Sequence, residues 1–169
     1  NGVDAREISL NVLRQRIALL EQDTYLFDCS VADNIAFAQP TATFEEVRRA
    51  AKRAGIADLI ESLPEAYDTQ MGQMGARLSG GERQRTAFAR VISQAFPVCV
   101  GRVILLDEPT AAMDVAYAEH TLALTQEFAA LGAAVVVVIH DLDAAASYAD
   151  DLIVLDHGSI VESGTHDEL

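Results

Sequence analysis

The chain contains a single lysine, Lys52, and two cysteines, Cys29 and Cys99. With no CxxC pair and no ladder of cysteines, neither a disulfide framework nor a zinc site is supported. No apolar run reaches membrane-spanning length; the longest candidate, Ala133 to Ile139, is the size of a strand. Basic charge is scarce: 12 Lys and Arg stand against 26 Asp and Glu, a formal net charge of −14. That balance argues against a protein that coats the phosphate backbone of DNA or RNA, so no nucleic-acid partner is expected. The first residues, Asn1-Gly2-Val3-Asp4-Ala5-Arg6-Glu7, do not read as a secretory signal, and a cytosolic, reducing setting is expected.

What is present suits one ordinary domain. The 169 residues are 50% apolar and 22% charged, a globular balance. Charge is unevenly placed. Residues 1–102 hold all 12 basic residues with 13 acids, whereas residues 103–169 hold 13 acids and no Lys or Arg. Most of those acids read as a solvated face.

Arg16 to Leu20 reads as a strand, ending before Glu21-Gln22-Asp23. Ser30 to Ile35 reads as a short capped helix. Thr43 with Glu46 is a capping box, and Phe44, Val47, Ala51 and Ala54 recur at helical spacing until Gly55. Asp58 to Leu63 is another short helix. Ser79-Gly80-Gly81-Glu82 is a second capping box, opening a helix to about Phe96. Val103 to Leu106 is a continuous apolar run, the pattern of a strand buried on both faces. A helical stripe at Tyr117, Thr121, Leu124, Phe128 and Leu131 follows, closed by Gly132. Val135 to Ile139, Leu152 to Leu155 and Ile160-Val161 read as further strands. The alternation predicts a parallel sheet covered by helices.

In open parallel sheets ligands collect at the carboxyl ends of the strands. The 103–106 strand delivers Asp107-Glu108-Pro109, and the 135–139 strand delivers His140-Asp141. Adjacent residues in extended backbone point to different sides, so Asp107 could hold Mg²⁺ while Glu108 polarises a water for attack on a phosphate. Ser79-Gly80-Gly81 opens a helix, whose free amides and partial positive charge suit a phosphate. Alone, the acidic pair is also what a solvated turn looks like, and a lone S-G-G is also an ordinary helix start.

Leu78-Ser79-Gly80-Gly81-Glu82-Arg83-Gln84-Arg85 resembles the signature motif of ABC transporter ATPases. Val103 to Thr110, V-I-L-L-D-E-P-T, resembles their Walker B strand. Ala111-Ala112-Met113-Asp114 resembles the D-loop, His140 matches the switch histidine, and Gln22 resembles the Q-loop glutamine. Five motifs in this order and spacing make the resemblance specific, and it extends over essentially the whole chain. It implies an α/β fold: a P-loop NTPase-like three-layer core with a mostly parallel sheet and an inserted helical subdomain, incomplete at its N-terminus. Residues 1–30 and 97–169 would form the partial ATPase core and residues 31–96 the helical signature subdomain.

The resemblance also implies roles. Asp107 would hold the Mg²⁺ shell and Glu108 would be the general base. His140 would contact the γ-phosphate, and Gln22 would touch Mg²⁺ or the water and sense the membrane partner. Ser79, Gly80 and Gly81 would bind the γ-phosphate of an ATP held by the opposite subunit, which Asp114 would face. The implied partners are a second ABC ATPase domain, docked head to tail, and a transmembrane permease domain, at the cytoplasmic face of the cell membrane.

The P-loop, G-x-x-x-x-G-K-[ST], is absent from these residues: Lys52 sits in Ala51-Lys52-Arg53-Ala54. Asn1-Gly2-Val3-Asp4 matches the stretch that follows the P-loop helix in the family, so the chain resembles a nucleotide-binding domain without its first portion. Residues 22–35 and Leu63 to Thr69 resemble exporters. The loop Thr69-Gln70-Met71-Gly72-Gln73-Met74-Gly75 lacks the glutamate and arginine of the exporters' T-E-V-G-E-R-G. From Val103 onward, Asp141-Leu142 and the stretch from Ala144 to Asp151 are more similar to importer ATPases, those for haem included. Two alternatives stay open: a fragment that only completes a partner's ATP site in trans, and a soluble ABC-type ATPase acting on DNA or the ribosome.

Overall fold

The computed structural model describes residues 3–72, 75, 77–96, 98–165 and 168. Its centre is a three-stranded parallel sheet in the order β1 (Ile17–Leu20), β2 (Val103–Asp107), β3 (Ala134–Val138). The register pairs Leu20 with Leu106, Leu106 with Val137 and Asp107 with Val138. One face therefore carries Ala18, Leu20, Ile104, Leu106, Val135 and Val137, and this face meets the core. The other carries Leu19, Leu105, Val136 and Val138, with Leu19 at 52% and Val136 at 54% exposure. The apolar run of β2 predicts burial on both faces. Instead, burial alternates along β2, because the packed helices cover only the Ile104–Leu106 side.

α1 (Leu10–Arg16) precedes β1; between β1 and β2, among the described residues, come the α-helices α2 (Val31–Ala36), α3 (Phe44–Arg53), α4 (Ala57–Ser62) and α5 (Gly80–Ala95). Their starts are set by side chains. Ser30 accepts from the Asp33 amide, and Thr43 and Ser79 each form the capping box that their sequence predicts. The α3 end is closed by Gly55 at φ +67°, with its amide donating to Lys52 and the Ile56 amide to Ala51. A Cβ on Gly55 would meet the Tyr117 ring at 2.6 Å, so this corner needs glycine for space as well as for φ. Phe44 is exposed but lies edge-on to Tyr67 at 5.2 Å. Long α5 packs against α2, α3 and β1, burying Phe88, Val91 and Ile92.

After β2 come α6 (Val115–Ala130), β3, and α7 (Leu142–Tyr148). Phe128 of α6 is fully buried against Phe88 and Phe96, with ring centroids at 6.4 and 5.5 Å. The predicted stripe holds at Thr121, Leu124 and Phe128, while Leu131 caps the helix and stays exposed.

The alternation predicts that residues 152–155 join the parallel sheet as a buried strand. They do not. β4 (Leu152–Asp156) pairs antiparallel with β5 (Ser159–Gly164) in a separate two-stranded sheet, and Ile153, Leu155, Ile160 and Val161 are exposed. The local turn explains the pairing: His157 and Gly158 both take positive φ, at 46° and 78°, the backbone of a type I′ hairpin. Asn1, Gly2, Gln73 and Met74, used in the motif comparisons above, lie outside the described residues.

Candidate active site

Three strand ends deliver three polar side chains to one place. Gln22 follows β1, Glu108 follows β2 and His140 follows β3. The Gln22 side-chain amide donates to Glu108 Oε2 at 3.1 Å, and His140 Nδ1 lies 3.9 Å from Glu108 Oε1. The Glu108 side chain is 27% exposed and that of His140 76%, so the carboxylate is sheltered and the imidazole projects outward. Asp107 ends β2 with an exposed side chain on the open face of the sheet.

The two carboxylates diverge by more than strand alternation. Glu108 adopts φ +44°, left-handed backbone that costs a non-glycine residue on the order of 1–2 kcal/mol. Its amide still donates to the Val138 carbonyl at 2.9 Å, continuing the ladder with β3. The chain thus turns away from the sheet at the residue that carries the sheltered carboxylate.

The start of α5 lies against the same turn. The Glu82 carboxylate accepts from the Ser79 amide at 2.7 Å, and this bond, helped by the Ser79 hydroxyl, holds its carboxyl below the ordinary value. A Cβ on Gly81 would sit 2.5 Å from the Ala112 carbonyl oxygen, whereas one on Gly80 would meet only the Ala112 Cβ at 3.7 Å. The sequence reading gives both glycines to an approaching phosphate; at Gly81 the chain's own backbone also requires the missing Cβ. Asp114, exposed, caps α6 by accepting from the Tyr117 amide at 3.1 Å.

Gln22, Glu108 and His140 therefore form one cluster, and Ser79, Gly80 and Gly81 sit at a helix start pressed on Ala112, two residues before Asp114. Sequence reasoning passed over two residues of this region. Gln84, inside the quoted motif, is buried and bonds to both Glu108 and Ala112. Arg90 donates to the carbonyls of Asn34 and Tyr25 and lies 5.1 Å from the Phe27 ring centroid, tying the segment after Gln22 to α5. Burial pushes its guanidinium below the usual arginine range.

Arg90 also backs an aromatic patch. Phe27 and Phe37 stack with centroids 3.9 Å apart, Tyr25 meets Phe27 edge-on at 5.1 Å, and Tyr25 and Phe37 are half exposed. A shallow cavity of about 270 Å³ opens beside them, lined in part by Leu19, Thr24 and Arg90.

A family model described as ABC transporter matches residues 1–111. The ATP-dependent lipid A-core flippase of Chromohalobacter salexigens is 42% identical over 169 residues, all of this chain and 28% of its own length. ATP-binding cassette sub-family B member 5 of Homo sapiens is 42% identical over 171 residues, again across all of this chain but 13% of the human protein. A solved structure of a bacterial Atm1-family ABC exporter with ATP bound superposes with a TM-score of 0.87 at 35% identity, covering 99% of this chain and 28% of that one. The chain thus spans under a third of the length of these relatives, and the likeness includes residues 103–169, the half that reads as importer-like.

Proposed function

The chain belongs to the ABC transporter family, and we propose that it is the greater part of a nucleotide-binding domain that hydrolyses ATP to drive export across a membrane. The observation that carries this reading is the convergence of Gln22, Glu108 and His140 at the ends of three parallel strands, with Glu108 sheltered between the other two. Export is favoured because the lipid A-core flippase and the Atm1-family exporter match both halves of the chain.

In this reading Glu108 is the general base. Its carboxylate has one oxygen held by the Gln22 amide and the other facing His140, so it is oriented before a water arrives. Proton abstraction from the water by that carboxylate leaves an attacking oxygen in line with the γ-phosphate. His140, exposed and on the outer side of Glu108, would contact the γ-phosphate, and Ser79, Gly80 and Gly81 would offer the α5 amides to an ATP bound by a second domain. Asp114 would face that second domain. The donor set suits Mg²⁺ held by few protein ligands: one exposed carboxylate, Asp107, and the amide oxygen of Gln22 at neighbouring strand ends leave the remaining positions to phosphate and water. When bound, Mg²⁺ would neutralise charge developing on the phosphates.

Residues 1–30 and 97–169 would act as the ATPase core and residues 31–96 as the signature-bearing subdomain. The half-exposed aromatics Tyr25, three residues after Gln22, and Phe37, stacked on Phe27, support docking of a transmembrane domain at that corner, which would place the chain on the cytoplasmic membrane face. The test is vanadate-sensitive ATP hydrolysis by the complete, P-loop-bearing protein. Glu108→Gln should abolish turnover, by about a hundredfold or more, while ATP still binds. Turnover unchanged in that variant would remove Glu108 as the base.

A further inference from the structure

We propose that Gln84 is a positioning residue that ties the signature end of α5 to the base-bearing turn after β2, so that one side-chain amide carries the state of one ATP site to the other. The inference rests on the ATPase reading above and adds a link that this reading does not contain.

The geometry is a two-point clamp. Gln84 Nε2 donates to the Glu108 carbonyl oxygen at 2.7 Å, and Gln84 Oε1 accepts from the Ala112 amide at 3.2 Å. The residue is 3% exposed, so both ends of its amide are satisfied within the protein. Glutamine is suited to this place because it presents a donor and an acceptor from one planar group; asparagine does the same on a stem one methylene shorter. The turn spanning residues 108–112 is therefore held at its first carbonyl and its last amide by one side chain.

That turn is the strained one. Glu108 sits at φ +44°, and the Ala111 amide also donates to the Glu108 carbonyl, at 3.2 Å. Without the clamp, relaxation of Glu108 toward negative φ would swing its carboxylate away from Gln22 and His140. The other end of the clamp is rigid as well. Gln84 lies three residues beyond Gly81, on the same helix face, and Gly81 abuts the Ala112 carbonyl with no room for a Cβ. A shift at the first turn of α5 is thus transmitted to Ala112 by contact and to Glu108 by hydrogen bond.

In the proposed dimer, Ser79 to Gly81 would grip the nucleotide of the opposite domain, while Glu108 would act on the nucleotide of its own. Gln84 stands between these two duties. Occupation of the signature end orders the base of the other site, and by linkage the ordered base raises the affinity of the signature end.

The experiment uses the complete protein with Gln84→Met, which keeps volume and removes both bonds, and Gln84→Glu, which keeps an acceptor for Ala112 but sets an oxygen against the Glu108 carbonyl. In both, kcat for ATP should fall about tenfold or more with KM changed by less than about twofold, and the Hill coefficient for ATP should fall toward one. Wild-type kcat and cooperativity in either folded variant would overturn the proposal. Hydrogen exchange on the unaltered protein gives a readout that needs no variant to fold. The Ala112 amide should exchange slowly, and exchange at the rate of a free loop would equally overturn it. Should the unaltered protein fail to hydrolyse ATP, the functional reading falls, and the exchange measurement still decides whether the clamp exists.

Discussion

Gln22 and Glu108, 86 positions apart in the chain, share a hydrogen bond of 3.1 Å across the ends of neighbouring strands. The bond fixes one carboxylate oxygen and leaves the other toward His140, so its loss should cost orientation and not nucleotide affinity. In the complete protein at saturating Mg²⁺, Gln22→Ala is expected to lower kcat for ATP by about tenfold to a hundredfold, a larger change than that in KM. Gln22→Glu, which sets two carboxylates against each other, should lower it further. Steady-state hydrolysis measures both, and full activity in Gln22→Ala would mean that Glu108 is oriented without it.

Neighbouring glycines at the start of α5 should respond oppositely to the same substitution. Gly81→Ala drives a methyl to 2.5 Å from the Ala112 carbonyl and is expected to destabilise by about 1–3 kcal/mol. Gly80→Ala makes an ordinary 3.7 Å contact and should be neutral to about 0.5 kcal/mol stabilising, from helix propensity. Thermal denaturation of the intact protein compares them. Equal effects would show that Ala112 yields readily.

The capping box at Ser79 predicts a pH dependence with a definite sign. The Ser79 amide holds the Glu82 carboxyl below its ordinary value of 4.5, so its ionised form is favoured in the folded state. The resulting stability is complete above that ordinary value and is lost as pH falls through the lower, folded one. Glu82 is partly exposed, so the effect is small, on the order of half a kcal/mol. Gln at this position keeps the cap without titrating. Denaturation midpoints of the native protein and Glu82→Gln should therefore run parallel near neutrality. Below about pH 4.5 the native protein should lose ground; parallel curves down to pH 3 would refute the assignment.

Much of this arrangement is written locally. Ser30, Thr43 and Ser79 announce their helices because each cap needs only a side chain and an amide three residues on. Glu108 and His140 are legible because they follow apolar runs that can only be strands. The hairpin at His157-Gly158 shows where pattern fails. Leu152 to Leu155 has the composition of a buried parallel strand, yet a two-residue turn pairs it with β5 and leaves Ile153 exposed. Gln84 is illegible for another reason. A glutamine in an amphipathic helix reads as surface, and only the three-dimensional approach of the 108–112 turn makes it a buried clamp. The same holds for Gly81, whose neighbour Ala112 lies 31 positions away.

The order β1-β2-β3 means that α2 to α5 leave the sheet at one strand and return at the strand beside it. All of those helices hang from two adjacent attachment points, the end of β1 and the start of β2. A push on the outlying helices reaches the site by three exits: through Gln22 at one attachment, through α5 lying on β1, and through Gln84 onto the turn beyond β2. Each of these exits reaches the same carboxylate, so leverage applied far from the sheet is gathered at a single oxygen pair.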